Sequence, residues 1–325
     1  LARVNPGAVN IVSRTLDDSR WVVAFLQDAG PTKFYTYDTA SRKAQFLFTN
    51  RESLEGLPLA SMHPVIIPAR DGLELVSYLT LPHQYSAFAP MVLGDPDAKA
   101  GKPSVRVQAE WDTDRGAGRV NQRTIDKPLP MVLLVHGGPW ARDEWGLDPY
   151  HQWLANRGYA VLSVNFRGST GFGKAFLNAG NREWAGKMHD DLIDAVNWAV
   201  EKGIADKDRV AIMGGSYGGY ATLVGLTFTP ETFAAGVSIV GPSNIVTLVN
   251  SIPPYWAPAI ELLKKRVGDH TTEEGRAFLE SRSPLTFVER IQRPLLIGQG
   301  ANDPRVKQSE SDQIVEAMQR KGIPV

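Results

Sequence analysis

The sequence around Ser216 has the residue types and spacing of a serine nucleophile. Ser216 lies between Gly214 and Gly218, with an apolar run at 210–213 before it and a helix-forming run at 221–226 after it. This order of strand, glycine-lined turn and helix is typical of a nucleophile elbow, a strained turn that lifts a serine hydroxyl above a sheet. The adjoining helix N-terminus would favour an oxyanion. We predict that Ser216 attacks a carbonyl carbon; the alternative is an incidental serine in a glycine-rich turn.

A serine hydroxyl needs a general base, and the base needs an acidic group to orient it. In proteins with an elbow of this type, the acid and then the histidine follow the serine along the chain. Asp303 comes shortly after the predicted strand 295–298, at the sheet edge where doubly wound sheets place catalytic groups. We predict that Asp303 is the orienting acid. The alternative is that Asp303 caps a helix predicted at 306–320.

The developing oxyanion needs a pair of N–H donors. The segment from His136 to Pro139 reads His-Gly-Gly-Pro and directly follows an apolar strand at 131–135. Loops of this sequence direct backbone N–H groups at the reacting oxygen, so we predict that Gly138 and Tyr217 are the two donors. His136 would be a tempting base, but it precedes the serine, and we expect a structural role for it in the loop.

From residue 131 onward, apolar strands alternate with amphipathic helices. The first run is apolar throughout, as in a strand covered on both faces. Helix 189–203 carries apolar side chains at the spacing of one helical face. Strands are predicted at 131–135, 159–164, 209–213, 235–240 and 295–298, and helices at 150–157, 189–203, 217–228, 306–320 and over most of 243–282. This alternation predicts an α/β fold with a doubly wound, mostly parallel sheet.

Residues 8–50 have the pattern of β structure only. Four short strands are predicted at 9–12, 20–26, 33–37 and 44–48, with turn-forming residues between them. Four strands in so short a segment match one blade of a β-propeller. We predict that residues 1–58 are the C-terminal remnant of a propeller. The alternative is a pair of hairpins packed on the next domain.

Residues 59–325 form the predicted catalytic domain. Its first two strands are expected at 64–68 and 73–81. Residues 83–129 then lose periodicity and are rich in turn-forming residues, which predicts a surface insertion with one strand at 104–108. We favour a mobile excursion for this insertion over the alternative that it shapes a substrate entrance.

The amino-acid composition limits the classes of partner that the protein is expected to bind. The 325 residues have a formal net charge of +0 and 22% charged residues, so no surface for nucleic acid is indicated. No apolar stretch approaches the ~18 residues of a membrane span. The absence of cysteine excludes disulfides and thiolate metal sites. The predicted chemistry requires no metal and no cofactor.

Four motifs occur in order between residues 132 and 306, namely VLLVHGGP, NFRGSTGFG, GGSYGGY and GQGANDPRV. Together they resemble the prolyl oligopeptidase family of serine peptidases, closest to its acylaminoacyl-peptidase and dipeptidyl-aminopeptidase-like branch. The resemblance covers residues 64–82 and 130–325. It implies an α/β-hydrolase fold preceded by the last blade of a β-propeller, and hydrolysis of short peptides through an acyl-enzyme.

The resemblance also implies roles for single residues. Ser216 matches the family's nucleophile, Asp303 its acid, and Arg305 an arginine that binds a peptide carbonyl of the substrate. A surface salt bridge is the alternative for Arg305. The specificity pocket falls near Tyr255 and Trp256, although two core aromatic residues would give the same pattern. Exopeptidase and endopeptidase activity are not separated by these motifs, and a homo-oligomer is left open.

The chain departs from the family pattern in two places. The 83–129 segment is longer than the usual connection, and no histidine follows Asp303, because the six histidines are at 63, 83, 136, 151, 189 and 270. Since Leu1 opens directly onto a single blade, we expect an internal fragment that is inactive alone, with the catalytic histidine beyond Val325. Two rival functions remain: a carboxylesterase on the same fold, and a non-catalytic, hydrolase-like binding protein.

Overall fold

The computed structural model describes most of the chain, namely residues 1, 3–85, 91–92, 106–107, 125, 127–252 and 257–324. Its strands are β1 (Ala8–Arg14), β2 (Arg20–Leu26), β3 (Lys33–Asp38), β4 (Lys43–Thr49), β5 (Met62–Pro68), β6 (Glu74–Thr80), β7 (Met91–Val92), β8 (Arg106–Val107), β9 (Leu129–Val135), β10 (Ala160–Val164), β11 (Ala205–Gly215), β12 (Ala235–Ile239) and β13 (Leu295–Gly298). Its α-helices are α1 (Pro149–Ala155), α2 (Lys174–Asn178), α3 (Lys187–Glu201), α4 (Tyr217–Phe228), α5 (Ile245–Asn250), α6 (Ala257–Arg266), α7 (Glu273–Ser281) and α8 (Gln308–Arg320). Short 3₁₀ helices lie at Glu52–Leu54 and Pro284–Arg290.

A seven-stranded sheet forms the centre of the described structure, in the order β13-β12-β11-β9-β10-β6-β5. The strands from β13 to β10 run parallel to one another, whereas β6 is antiparallel to both β10 and β5. Parallel neighbours need long crossover connections, and the helices lie in those connections. The predicted doubly wound, mostly parallel α/β sheet is therefore confirmed, with two antiparallel strands at one edge.

Successive residues of β9 enter two different cores. Met131 and Leu133 belong to the large core, which also contains Leu192 of α3 and Leu223 of α4. Val132 instead belongs to a smaller core with Leu154 of α1. Strand side chains alternate between the two faces of a sheet, so helices on both faces explain why the run is apolar throughout.

Residues 1–58 contain a separate antiparallel sheet in the order β1-β2-β3-β4. Asp28 connects it to the rest of the chain, because its Oδ2 accepts a 2.8 Å hydrogen bond from Met62 N and its carbonyl accepts one of 3.1 Å from Gln152 Nε2. The four predicted strands are present. Their assignment to a propeller blade, and the domain boundary after residue 58, stay predictions.

Most of the predicted insertion at 83–129 lies outside the described residues. Within it, β8 pairs antiparallel with β7, so part of the strand predicted at 104–108 is present. Among the helices that the structure describes, none combines the length and apolar character needed to cross a bilayer.

Candidate active site

Ser216 occupies the turn between β11 and α4. Its backbone has φ +57° and ψ −117°, a conformation that non-glycine residues rarely adopt and that is strained. The turn is held to the neighbouring strand by a 2.9 Å hydrogen bond from Ser216 N to the carbonyl of Ile239. The Ser216 side chain makes no capping hydrogen bond to the helix that it precedes. These are the strand, turn and helix that the sequence predicted.

The glycines of the elbow are required by close contact with β9. A methyl group on Gly214 would lie 2.5 Å from the carbonyl oxygen of Val135, and one on Gly218 would overlap the same oxygen. Real Cβ atoms do not approach so closely, so any side chain at either position would push the elbow away from the sheet. The spacing of glycine around Ser216 therefore follows from packing against Val135.

The His-Gly-Gly loop lies directly against the elbow. A methyl group on Gly137 would be 3.1 Å from the carbonyl oxygen of Gly215 and 3.5 Å from Ser216 Cβ. Gly138 follows with φ +120°, a backbone conformation that favours glycine. Tyr217 is the first residue of α4, where N–H groups have no partner within the helix. The structure thus brings together the two segments that carry the predicted oxyanion donors, Gly138 and Tyr217.

Both ring nitrogens of His136 are engaged away from Ser216. Nδ1 lies 2.7 Å from the carbonyl oxygen of Gly137, and Nε2 lies 2.9 Å from Ser169 Oγ. Burial lowers the pKa of His136 to about 4, so the ring is neutral at neutral pH. The Ser169 hydroxyl in turn donates to the carbonyl of Phe166 at 2.7 Å, so His136 belongs to a hydrogen-bonded cluster within the two loops. These contacts fit the structural role expected for His136.

Two further histidines, His151 and His189, are hydrogen-bonded to hydroxyl groups other than that of Ser216. His151 lies between Thr80 Oγ1 at 2.9 Å and Ser163 Oγ at 2.8 Å, and His189 Nε2 lies 3.0 Å from Thr229 Oγ1. Within the described residues, none of the six histidines is hydrogen-bonded to Ser216 or Asp303. The structure therefore identifies no base for Ser216.

Asp303 lies in the turn between β13 and α8, two strands away from the elbow in the sheet. Its Oδ1 accepts hydrogen bonds from Arg305 N at 2.8 Å and from Val306 N at 2.9 Å, which leaves Oδ2 outside both bonds. Helix α8 begins at Gln308 with Lys307 in the N-cap position. The alternative interpretation of Asp303 as a helix cap was wrong, because its side chain closes a separate turn before the helix.

The substrate-binding residues predicted from the sequence are placed only in part. Arg305 is exposed and lies on the same turn as Asp303, with its backbone N–H bonded to that carboxyl group. Tyr255 and Trp256 lie outside the described residues, so their assignment to a specificity pocket stays a prediction.

Residues 145–325, more than half of the chain, match a model of the prolyl oligopeptidase family. The chain belongs to this family. The resemblance inferred from the four motifs is confirmed, and with it the α/β-hydrolase fold of the prolyl oligopeptidase family.

Several relatives from this family match nearly the whole chain. Dipeptidyl aminopeptidase BIII of Pseudoxanthomonas mexicana is 57% identical over 325 residues, which are all of this chain and 42% of that protein. Dipeptidyl peptidase family member 6 of Caenorhabditis elegans is 48% identical over 320 residues, 98% of this chain and 41% of that protein. A solved puromycin-hydrolyzing peptidase of Mycobacterium tuberculosis has a TM-score of 0.73 at 27% identity, covering 94% of this chain and 41% of that one. The chain therefore spans about two fifths of the length of these curated relatives.

Sequence reasoning missed the aromatic support of the elbow in this prolyl oligopeptidase family member. The ring of Tyr217 contacts those of Phe166, Trp184 and Tyr220, with centroids 5.3, 4.8 and 5.5 Å away. Phe166 also stacks on His136 at 4.4 Å, so one cluster supports both the elbow and the His-Gly-Gly loop. Burial raises the pKa of Tyr217 well above its ordinary value, which keeps the phenol neutral. Phe166 could have been found through the NFRGSTGFG motif, whereas Trp184 belongs to no motif.

Arg167 of the same motif has a structural role that the sequence did not indicate. Its side chain is buried and bonded to Asp191 Oδ1 at 2.6 Å and to Asp71 Oδ2 at 2.8 Å. A buried guanidinium needs such partners, because an unpaired charge in a core is strongly destabilising. The pair of carboxyl groups therefore anchors the loop that carries Phe166 and Ser169.

Proposed function

We propose that this chain carries the nucleophile, acid and oxyanion donors of a serine peptidase that acts on short peptides. The observation that carries the proposal is the backbone of Ser216, which has φ +57° at the tip of a turn so close to Gly137 that a Cβ built on Gly137 would lie 3.5 Å from Ser216 Cβ. Strain of this kind persists only where the surrounding structure enforces it, and it is concentrated at functional sites.

In the proposed mechanism, Ser216 Oγ attacks the carbonyl carbon of the scissile peptide bond while a base takes its proton. The carbonyl oxygen becomes an oxyanion, which the N–H groups of Gly138 and Tyr217 stabilise. The C–N bond then breaks, the amine leaves with the proton from the base, and an ester to Ser216 remains. Water then attacks the carbonyl carbon of that ester while the base takes its proton. The base returns the proton to Ser216 Oγ, which releases the carboxylic acid product and the free serine.

Asp303 orients the base in this proposal. Its Oδ1 accepts hydrogen bonds from two backbone N–H groups, which hold the carboxyl group in place and leave Oδ2 outside both bonds. Because none of the six histidines is hydrogen-bonded to Ser216 within the described structure, we assign the base to a histidine outside these 325 residues. In the chain order of this fold it would follow Asp303.

The substrate class rests on the relatives and on Arg305. Two relatives are named as a dipeptidyl aminopeptidase and a dipeptidyl peptidase, and we propose that this chain likewise acts on short peptides. Arg305 lies on the turn of Asp303 and is exposed. Its guanidinium group is proposed to donate hydrogen bonds to a substrate carbonyl.

The test replaces the nucleophile in the complete protein. Ser216→Ala should lower kcat for a dipeptide amide by about 10³- to 10⁶-fold, because the covalent route is lost. Ser309→Ala, at an exposed serine of α8, is the matched control and should leave the rate unchanged. Hydrolysis by the Ser216 variant at the wild-type rate would refute the proposal.

A further inference from the structure

Glu310 is a buried acidic residue in the first turn of α8, with a relative exposure of 1%. Its Oε2 accepts hydrogen bonds from the backbone N–H groups of Ser243 at 2.9 Å and Asn244 at 3.0 Å. Gln313 Nε2 donates to the same oxygen at 2.9 Å, and the Thr247 hydroxyl donates to Oε1. The carboxyl group therefore holds the start of α5 against the start of α8.

The segment that Glu310 holds is joined directly to the elbow. It follows β12, whose last residue Ile239 accepts the hydrogen bond from Ser216 N at 2.9 Å. The next residue, Val240, donates at 2.7 Å to the carbonyl of Gly298, which ends β13. Residues 239–244 thus contact the nucleophile turn at one end and Glu310 at the other.

The first turn of α8 is also joined to the turn of Asp303. Ser311 Oγ donates to Gln299 Oε1 at 2.8 Å, and Gln299 Nε2 donates across the turn to the carbonyl of Val306 at 3.1 Å. Glu310 and Ser311 are neighbours in the first turn of the helix. This turn therefore bonds both to the segment that reaches Ser216 and to the loop that contains Asp303.

We propose that Glu310 is a positioning residue that sets the location of Asp303 relative to Ser216. The inference rests on the proposed function, because it assumes that Asp303 is the orienting acid. Without the carboxyl group, the N–H groups of Ser243 and Asn244 lose their buried acceptor, which favours separation of α8 from the segment after β12. A shift of the acid loop by about 1 Å is enough to lower catalysis by about 100-fold.

The experiment compares variants of the complete protein at a temperature where each is folded by circular dichroism. Glu310→Ala should lower kcat by about 10- to 100-fold with little change in KM. Glu310→Gln should retain most activity, because the amide oxygen can still accept from both backbone N–H groups and the amide nitrogen can donate to Thr247 Oγ1. Glu316→Ala, at an exposed glutamate of the same helix, is the control and should behave as wild type.

A double-mutant cycle separates positioning from a general structural effect. If Glu310 acts through Asp303, then Asp303→Ala and the double variant Asp303→Ala/Glu310→Ala should have equal activity. If the losses of the two single variants multiply, or if folded Glu310→Ala has wild-type kcat, the inference is overturned. The proposed roles of Ser216 and Asp303 would then be unaffected. Wild-type activity in Asp303→Ala would instead overturn the proposed function. If Glu310→Ala does not fold, Ser311→Ala tests the same link from the loop side, and an unchanged kcat there would refute the inference.

Discussion

Gly137 leaves no spare room beside Ser216: a Cβ atom built on Gly137 would lie 3.5 Å from the Cβ of Ser216 and 3.1 Å from the carbonyl oxygen of Gly215. Two segments that are some eighty residues apart in the sequence therefore form one surface. An oxyanion hole needs this proximity, because both donors must reach the same oxygen.

This lack of room predicts the effect of a single methyl group at Gly137. Gly137→Ala should displace the loop by a few tenths of an ångström and lower kcat by about 10- to 100-fold with little change in KM, because the donor loses its alignment in the transition state. Gly298→Ala is the control, since its Cβ would meet nothing closer than 3.8 Å. Steady-state kinetics on a dipeptide amide measure both. Equal kcat values in the two variants would mean that the loop does not supply a donor.

Substitution of Arg305 tests whether the protein acts as a peptidase or as a carboxylesterase. If its guanidinium group binds a substrate carbonyl, Arg305→Ala should weaken peptide turnover by about 1–3 kcal/mol, the cost of losing a charged hydrogen bond. Acetyl esters lack that carbonyl and should be hydrolysed almost as before. Lys307→Ala removes a nearby exposed charge and serves as the control. Similar losses on peptides and esters would show that Arg305 has a structural role instead.

The contacts of the six histidines predict how fast residues 1–325 alone react with a serine-directed probe. Since no histidine is hydrogen-bonded to Ser216 in the described structure, a fluorophosphonate should label this form at least about 100-fold more slowly than a longer form with a histidine after Asp303. Labelling followed by mass spectrometry measures the rate and the site. Fast labelling of Ser216 in residues 1–325 would mean that one of the six histidines is the base.

From the buried carboxyl group of Asp143 we predict that the stability of the folded protein depends on pH. Burial, with a smaller contribution from the charge of Asp148, raises the pKa of Asp143 from 3.8 to about 7. Its Oδ2 is buried without a hydrogen-bond partner among the described residues. Between these two pKa values the folded state binds more protons than the unfolded state, so this group makes the protein less stable as pH rises to about 7.

Replacing that carboxyl group should therefore stabilise the protein most at high pH. Asp143→Asn should raise Tm relative to wild type at pH 8, and the difference should shrink at pH 5, where the wild-type group is protonated in the folded state. Thermal unfolding at the two pH values measures this. Asp206→Asn is the control, because Asp206 is only partly buried and its hydrogen bond with Arg209 lowers its pKa. The same Tm difference at both pH values would contradict a raised pKa for Asp143.

The features that local sequence predicted correctly are those that local sterics determine. The elbow is one, since helix α4 has the bounds 217–228 that the pattern predicted and Ser216 lies immediately before it. The start of α8 was placed two residues too early, at 306, because the Asp303 side chain bonds to the backbone and delays the helix to Gln308. A side chain that folds back onto its own turn is hard to distinguish from a helix cap by residue type alone.

The sequence by itself determined the alternation of strands and helices, the elbow at Ser216 and the family, because periodicity and short glycine motifs depend on neighbours along the chain. Only the tertiary structure decided that β6 and β5 extend the sheet antiparallel, that Gly137 lies beside the elbow, and that the first turn of α8 bonds both to the segment after β12 and to Gln299 after β13. These relationships link residues that are far apart in sequence. They depend on which buried N–H groups find acceptors and which surfaces pack together, and a linear pattern does not carry that information.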